Sequence, residues 1–210
     1  MLFFYKVIIN IIFLLSPLII LFRLIKKKED IIRFKEKYCF FSKKRANGKV
    51  LWFHGASVGE ILSVIPLIEH LEKNKDINQI LVTSNTLSSS KILSNLKLKK
   101  TIHQFFPIDT NYHSKRFLEY WKPSNAIFID SEIWPNMVHN IKKKSISLIL
   151  LNARITKRSF LRWKRFPKSS ENLFGKFDAC FVSNNESKKY LKLLNVKNIN
   201  YIGNLKFSQI

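Results

Sequence analysis

Val50-Leu51-Trp52-Phe53-His54-Gly55-Ala56-Ser57-Val58-Gly59-Glu60-Ile61 is the stretch that decides the fold. Its first four residues are a continuous apolar run with strand character. Two glycines then punctuate the chain, and the period changes. Ile61, Val64, Ile65, Ile68 and Leu71 recur at three- and four-residue spacing, the apolar stripe of a helix. Strand, glycine-bearing loop and helix follow one another within about twenty residues. The alternation continues outward. Short β-rich runs stand at 50–53, 80–83, 103–106, 126–129, 148–151, 179–182 and 199–202, with helical periodicity between most of them. Near-continuous apolar strands separated by helices imply a parallel sheet covered on both faces. The expected fold is α/β, a Rossmann-like parallel sheet of about seven strands with flanking helices. The sequence has no internal repeat and no low-complexity tract.

Ligands of such sheets lie beyond the carboxyl ends of the strands, so the loops there carry the candidate residues. In the first loop, Gly55 and Gly59 let the backbone turn tightly and approach a ligand. The N–H groups of the opening helix favour an anion. Glu60, at the mouth of the sheet, is a candidate general base for a hydroxyl. The same spacing, Ser57-x-x-Glu60, also spells a capping box, and a carboxylate bound to its own cap is less free to take a proton.

After the fourth strand comes Asp130-Ser131-Glu132-Ile133-Trp134-Pro135-Asn136. Its acids could orient sugar hydroxyls and Trp134 could stack on the apolar face of a sugar. Pro135 suits the first turn of a helix, and a capped helix start with a packed Trp is the alternative. The fifth strand runs into Asn152-Ala153-Arg154. Arg154 could hold a phosphate or carboxylate bidentately, or pair structurally with Asp130 or Glu132. Thr83-Ser84-Asn85-Thr86, with Ser88, Ser89 and Ser90 beyond, could cap a helix or bind phosphate. Arg158, Arg162, Trp163, Lys164 and Arg165 form a basic aromatic stretch suited to headgroups or phosphates, or to a solvated helix face.

The N-terminus differs. Residues 7–22 are almost wholly apolar, broken by Asn10, Ser16 and Pro17, and flanked by Lys6, Arg23, Lys26, Lys27 and Lys28. The run is shorter than the ~20 residues of an upright span, but Leu2, Phe3, Phe4 and Leu24 extend it. Pro17 would kink such a helix rather than forbid it. No small-x-small site follows, which argues against a cleaved signal peptide. A spanning anchor and a monotopic helix lying in the interface both remain. The basic cluster places the residues after it on the cytoplasmic side and attracts anionic headgroups. Residues 1–28 thus read as a membrane anchor with a basic flank. Residues 29–48 read as a basic connector closed by the Asn47-Gly48 turn signal, and 49–210 as the Rossmann-like domain.

There are 37 Lys and Arg against 14 Asp and Glu, a net charge of +23. Such a surface attracts nucleic acid, anionic lipid or a phosphorylated substrate, although codon composition rich in Lys, Asn and Ile would also produce it. No nucleic-acid recognition motif appears, so nucleic acid is not an expected partner. Cys39 and Cys180 form no CxxC pair and no metal set with His54, His70, His103, His113 and His139. Two free or buried thiols in a reducing compartment are expected, with no metal and no cofactor.

These loops are similar to those of a known family. The matching segments occur in order: 34–38; His54 to Glu60; Pro107-Ile108-Asp109; Trp121-Lys122-Pro123; Glu132-Ile133-Trp134-Pro135-Asn136; Asn152-Ala153-Arg154; and Gly203-Asn204-Leu205-Lys206-Phe207. Together they resemble bacterial 3-deoxy-D-manno-octulosonic acid (Kdo) transferases, which are GT-B-type glycosyltransferases. The resemblance implies an N-terminal, acceptor-binding domain of a GT-B fold. It implies transfer of Kdo from CMP-Kdo to a lipid A precursor of lipopolysaccharide, without a metal, at the cytoplasmic side of the cell inner membrane. It implies Glu60 as general base, with Ser57, Gly59, Asp130, Glu132, Trp134 and Arg154 about the acceptor. Asp130 stands where the family usually has Glu. The C-terminal donor domain is expected to be absent from this chain and supplied by a separately encoded half. The alternative is a non-catalytic remnant, or a membrane module that binds acidic lipid.

Overall fold

The computed structural model describes residues 2–205. A long helix, α1 (Leu2–Ile25), and a short 3-10 turn (Arg33–Tyr38) precede the sheet. Strand and helix then alternate as β1 (Val50–His54), α2 (Val58–Glu72), β2 (Gln79–Ser84), α3 (Leu87–Asn95) and β3 (Thr101–Phe105). The next elements are α4 (Asn111–Trp121), β4 (Asn125–Ile129), α5 (Pro135–Lys143) and β5 (Ser147–Ala153). The domain ends with α6 (Lys157–Lys164), α7 (Pro167–Phe174), β6 (Ala179–Val182), α8 (Asn185–Leu193) and β7 (Ile199–Tyr201). All seven strands are parallel, in the order β3-β2-β1-β4-β5-β6-β7. The chain winds outward from β1 in one direction and then, from β4, in the other. The β1/β4 boundary is therefore the switch point, where a crevice forms beyond the strand ends.

Each expected strand is present. The third starts earlier than its apolar run, at Thr101, because Thr101 pairs with Ile80 in the ladder. Ladder pairing, not hydropathy, sets that end. Side-chain alternation divides the core into two layers. Trp52, Ala126, Phe128, Leu148 and Leu150 point to one face. Leu51, Phe53, Ile127, Ile129 and Leu151 point to the other, against Ile61, Val64 and Ile68 of α2 and Leu93 of α3. Burying one such aliphatic side chain contributes about 2 kcal/mol, so the central strands β1 and β4 carry much of the stability.

Helix starts are capped locally. Ser57, Thr86, Thr110, Thr156 and Asn184 each accept the backbone N–H three residues on. Each such cap contributes about 1 kcal/mol. Thr86 capping α3 is the role taken in the Ser/Thr-rich stretch. The Asn47-Gly48 turn needs its glycine: φ is +94°, and a Cβ there would lie 2.2 Å from Asn78 Oδ1. The 3-10 turn covers the β3 edge, where buried Glu36 accepts the Phe105 N–H at 2.8 Å. Covering an edge in this way blocks pairing with another chain. Cys39 and Cys180 are both free and buried.

Helix α1 is long and apolar enough to cross a membrane. It runs through Pro17 as a continuous helix and buries only Ile9, Ser16 and Ile20 against the domain. Polar contacts fasten it along its length. The Tyr5 hydroxyl donates to Asp109 Oδ2 at 2.7 Å, Ser16 and Tyr38 share a hydrogen bond of 2.7 Å, and Arg23 pairs with Glu29 at 2.9 Å.

Candidate active site

The loops after β1, β4 and β5 meet at the switch point. The β1 loop places Glu60 in the first turn of α2. Its Oε2 accepts the Ala56 N–H at 2.7 Å and its Oε1 accepts the Ser57 hydroxyl at 2.7 Å. Ser57 Oγ in turn accepts the Glu60 N–H at 3.4 Å. The capping reading of Ser57-x-x-Glu60 is thus realised, with Ala56 rather than Ser57 supplying the backbone donor. It does not exhaust the carboxylate. Two oxygens offer about four lone-pair sites, and these bonds use one on each.

The electrostatics around Glu60 favour proton uptake. Partial burial pushes its carboxyl above the ordinary glutamate value of 4.5, and the charges of Glu132 and Asp130 push the same way. The Ser57 hydroxyl and Ala56 N–H oppose them without reversing the direction. A carboxylate raised in this way is a better base.

The β4 loop begins with a strained residue. Asp130 is buried and has φ +62°, a left-handed conformation that Asp tolerates better than most L-residues. Its carbonyl accepts the Arg154 N–H at 3.2 Å, which ties the β4 loop to the β5 loop. Asn152, at the end of β5, is also left-handed at φ +53°, and its Oδ1 accepts the Leu205 N–H at 3.1 Å. Lys206 and Phe207 of that last motif lie outside the described residues.

Glu132 is half-buried, held by one hydrogen bond and close to a buried ring. Its Oε2 accepts the Trp134 indole N–H at 2.9 Å and lies 3.4 Å from His54 Nε2. The His54 ring is fully buried, stacks on Phe106 at 3.9 Å and contacts Thr83 Oγ1 through Nδ1 at 2.9 Å. The sequence alone gives His54 no role at the site. The signal was its position as the last residue of β1, next to the strand that delivers Glu132.

At Trp134 and Arg154 the structure bears on the alternatives left open by the sequence, and at Gly59 it corrects the expected role. The Trp134 ring packs on Phe106 at 5.3 Å, and its N–H is engaged by Glu132, so it serves first as a support for that acid. Arg154 makes no side-chain ion pair with Asp130 or Glu132 among the described residues; its exposed side chain borders a cavity of about 410 Å³ with Asp130, Ser131, Thr156 and Trp163. Gly59 is not a turn glycine. It lies exposed in the first turn of α2, and a Cβ there would meet nothing within 4 Å. Gly55 is the tight position, where a Cβ would lie 3.0 Å from Glu60 Cβ and 3.3 Å from Ile129 Cδ1.

A second cavity of about 370 Å³ opens beside Trp134, between α1 and the loop after β3. Ile9, Ile12, Ile20, Pro107 and Trp134 make it mostly apolar. That loop also carries Asp109, whose oxygens accept the backbone N–H groups of Asn136 at 3.0 Å and Met137 at 2.8 Å. Asp109 therefore caps α5 from another part of the chain. Among the described residues no group of three or more His, Cys, Asp or Glu is placed to hold a metal ion.

Comparison with known proteins agrees with this architecture. Chains of two UDP-N-acetylglucosamine 2-epimerases share the fold. The one from Neisseria meningitidis superposes with a TM-score of 0.56 at 16% identity, covering 75% of this chain and 47% of its own. The one from Rickettsia bellii gives 0.51 at 14% identity, covering 77% and 46%. Sequence relatives are more specific. A 3-deoxy-D-manno-octulosonic acid transferase of Rickettsia bellii is 37% identical over 199 residues, 93% of this chain and 47% of that protein. A probable mitochondrial 3-deoxy-D-manno-octulosonic acid transferase of Arabidopsis thaliana is 38% identical over 151 residues, 70% of this chain and 34% of that protein. This chain spans about half the length of the first of these relatives and about a third of the second. The family model described as 3-Deoxy-D-manno-octulosonic-acid transferase (kdotransferase) matches residues 32–209. With that match covering most of the chain and the Glu60, Glu132 and Asn152 loops gathered at one switch point, the chain belongs to the Kdo transferase family.

Proposed function

We propose that this chain supplies the acceptor half of an enzyme that transfers Kdo from CMP-Kdo to a lipid A precursor in lipopolysaccharide synthesis. The observation that carries the reading is Glu60, a carboxylate at the switch point whose partial burial, helped by the charges of Glu132 and Asp130, raises its proton affinity. An acceptor hydroxyl beside it loses its proton to Glu60 as its oxygen bonds the anomeric carbon of Kdo. The bond from that carbon to the CMP phosphate breaks, and CMP leaves with the electron pair. A base so placed contributes about 10²–10⁴-fold in rate.

The other residues position the acceptor. Glu132, held by Trp134, and Asp130 accept hydroxyls of the sugar. Arg154, at the edge of its cavity, takes a phosphate of the acceptor. Ser57 orients Glu60, and the bare Gly59 leaves room for the substrate above the first turn of α2. On this reading residues 1–28 attach the chain to the cytoplasmic face of the inner membrane, 29–48 connect, and 49–210 form the acceptor domain. CMP-Kdo is held by a donor half that faces this one across the switch point, and holding both reactants together supplies much of the acceleration.

The test is Kdo transfer from CMP-Kdo to a lipid A precursor by the chain with and without a donor-binding half. The proposal expects transfer that requires this chain. Full transfer by the donor half alone, or none in any combination, contradicts it and favours a non-catalytic module that binds acidic lipid.

A further inference from the structure

We infer that α1 is an in-plane, monotopic membrane helix that lies along the domain with both ends on one face of the bilayer, rather than a helix that spans it. Three contacts carry this, at Tyr5, Ser16 and Arg23. The first two reach Asp109 and Tyr38, and the third reaches Glu29 just beyond the helix, which Lys37 ties to the 3-10 turn, so the helix is fastened near its start, at its middle and near its end. At about 1.5 Å of rise per residue, Tyr5 and Arg23 are separated by about 27 Å along the axis. The hydrocarbon core of a bilayer is about 30 Å thick. An upright α1 would therefore draw the docked surface of the domain, from Asp109 to Glu29, through the whole hydrocarbon layer. That surface includes the irregular loop after β3 and the buried Glu29 carboxylate with its partners Arg23 and Lys37. Loops and charges of that kind are not tolerated against lipid.

The helix itself has two faces. Tyr5, Ile9, Ser16, Ile20 and Arg23 turn to the domain. Val7, Ile11, Leu14, Leu18, Leu21 and Ile25 repeat at three- and four-residue spacing and are 43–78% exposed. At 3.6 residues per turn the two sets lie roughly 180° apart. An apolar stripe of that length, facing away from the docked side, fits the acyl boundary of a membrane, into which such helices sink about 5–10 Å. Lys6 lies at one end of the stripe and Lys26, Lys27 and Lys28 at the other, all exposed. Basic residues at both ends suit anionic headgroups along one surface. The same charges disfavour a second copy of the helix as the cover, because its ends would repel.

The experiment uses the full chain in bacterial membranes, with Lys6→Cys and Lys28→Cys introduced separately. A membrane-impermeant maleimide is applied to inside-out vesicles and to spheroplasts. Cys39 and Cys180 give little background, since both are buried and burial pushes each thiol up to about 12. The inference expects both introduced thiols to label in inside-out vesicles, with labelling lost in spheroplasts. Labelling of Lys6→Cys only in spheroplasts shows a spanning helix and overturns it. Protection of Lys6→Cys on both sides, or recovery of the chain in the soluble fraction, overturns it as well. None of these readouts depends on Kdo transfer, so the topology and the proposed activity fail independently.

Discussion

Glu60 and Asp109 are both carboxylates, both follow a strand of the same sheet, and both accept backbone N–H groups beside a helix start. Burial raises the proton affinity of each. Their surroundings differ. Asp109 is almost wholly buried, and its oxygens are taken by Asn136 N–H, Met137 N–H and the Tyr5 hydroxyl. Glu60 caps only its own helix, is partly exposed, and looks towards two further acids. Donors thus surround the Asp109 carboxylate, whereas acids and solvent face that of Glu60, as its proposed role as a base requires. The cap alone does not decide.

The comparison breaks most visibly at Asp109. Asp109→Ala leaves two buried N–H groups and a tyrosine hydroxyl without an acceptor, at about 1–3 kcal/mol for each unsatisfied group. Thermal unfolding in detergent should show a loss of about 3 kcal/mol or more. A loss below about 0.5 kcal/mol, the range of an ordinary surface substitution, would make Asp109 dispensable and end the contrast.

A pH series sharpens the same point. The Asp109 carboxyl lies at about 7 in the folded chain against an ordinary 3.8. The folded state holds this proton more tightly, so its contribution is fully present below the unfolded value and is lost as pH rises from about 4 to about 7. Asp109→Asn should flatten that part of the stability profile. An unchanged slope would place the titration elsewhere.

Smaller effects are expected around Glu60. Glu60 must be ionised to accept a proton, so the acid limb of transfer should lie above pH 4.5, the ordinary glutamate value. Glu132→Gln removes a charge that raises Glu60 and should move the limb to lower pH. Ser57→Ala removes a bond that lowers Glu60 and should move it to higher pH, while costing about 1 kcal/mol of helix capping. Shifts of the same sign in both variants would contradict the electrostatic assignment.

The sheet was legible in the sequence because burial on both faces makes each parallel strand a continuous apolar run, as in Val50 to Phe53. The switch-point loops were legible because Glu60, Glu132 and Arg154 each stand just past such a run. Other features had no local signal. Asp109 reaches Asn136, 27 residues on, and Tyr5, 104 residues back. Nothing near Pro107-Ile108-Asp109 announces contacts over that distance. The left-handed turn at Asp130 is hidden because Asp is ordinary in loops, and the Trp134 indole bond to Glu132 is set by backbone geometry rather than residue type. The apolar run at the N-terminus signalled a membrane helix, but its hold on the domain depends on Tyr5, Ser16 and Arg23, which interrupt or flank that run.

The most direct test of the contrast is Glu60→Gln, with transfer rate and melting temperature measured on the same preparation beside a donor-binding half. Gln retains an acceptor for the cap but cannot take a proton. The account predicts a rate lowered about 10²-fold or more with the melting temperature nearly unchanged. An unaltered rate, or a fall in rate that only follows a fall in melting temperature, would show that Glu60 is a helix cap like Asp109 and not a base.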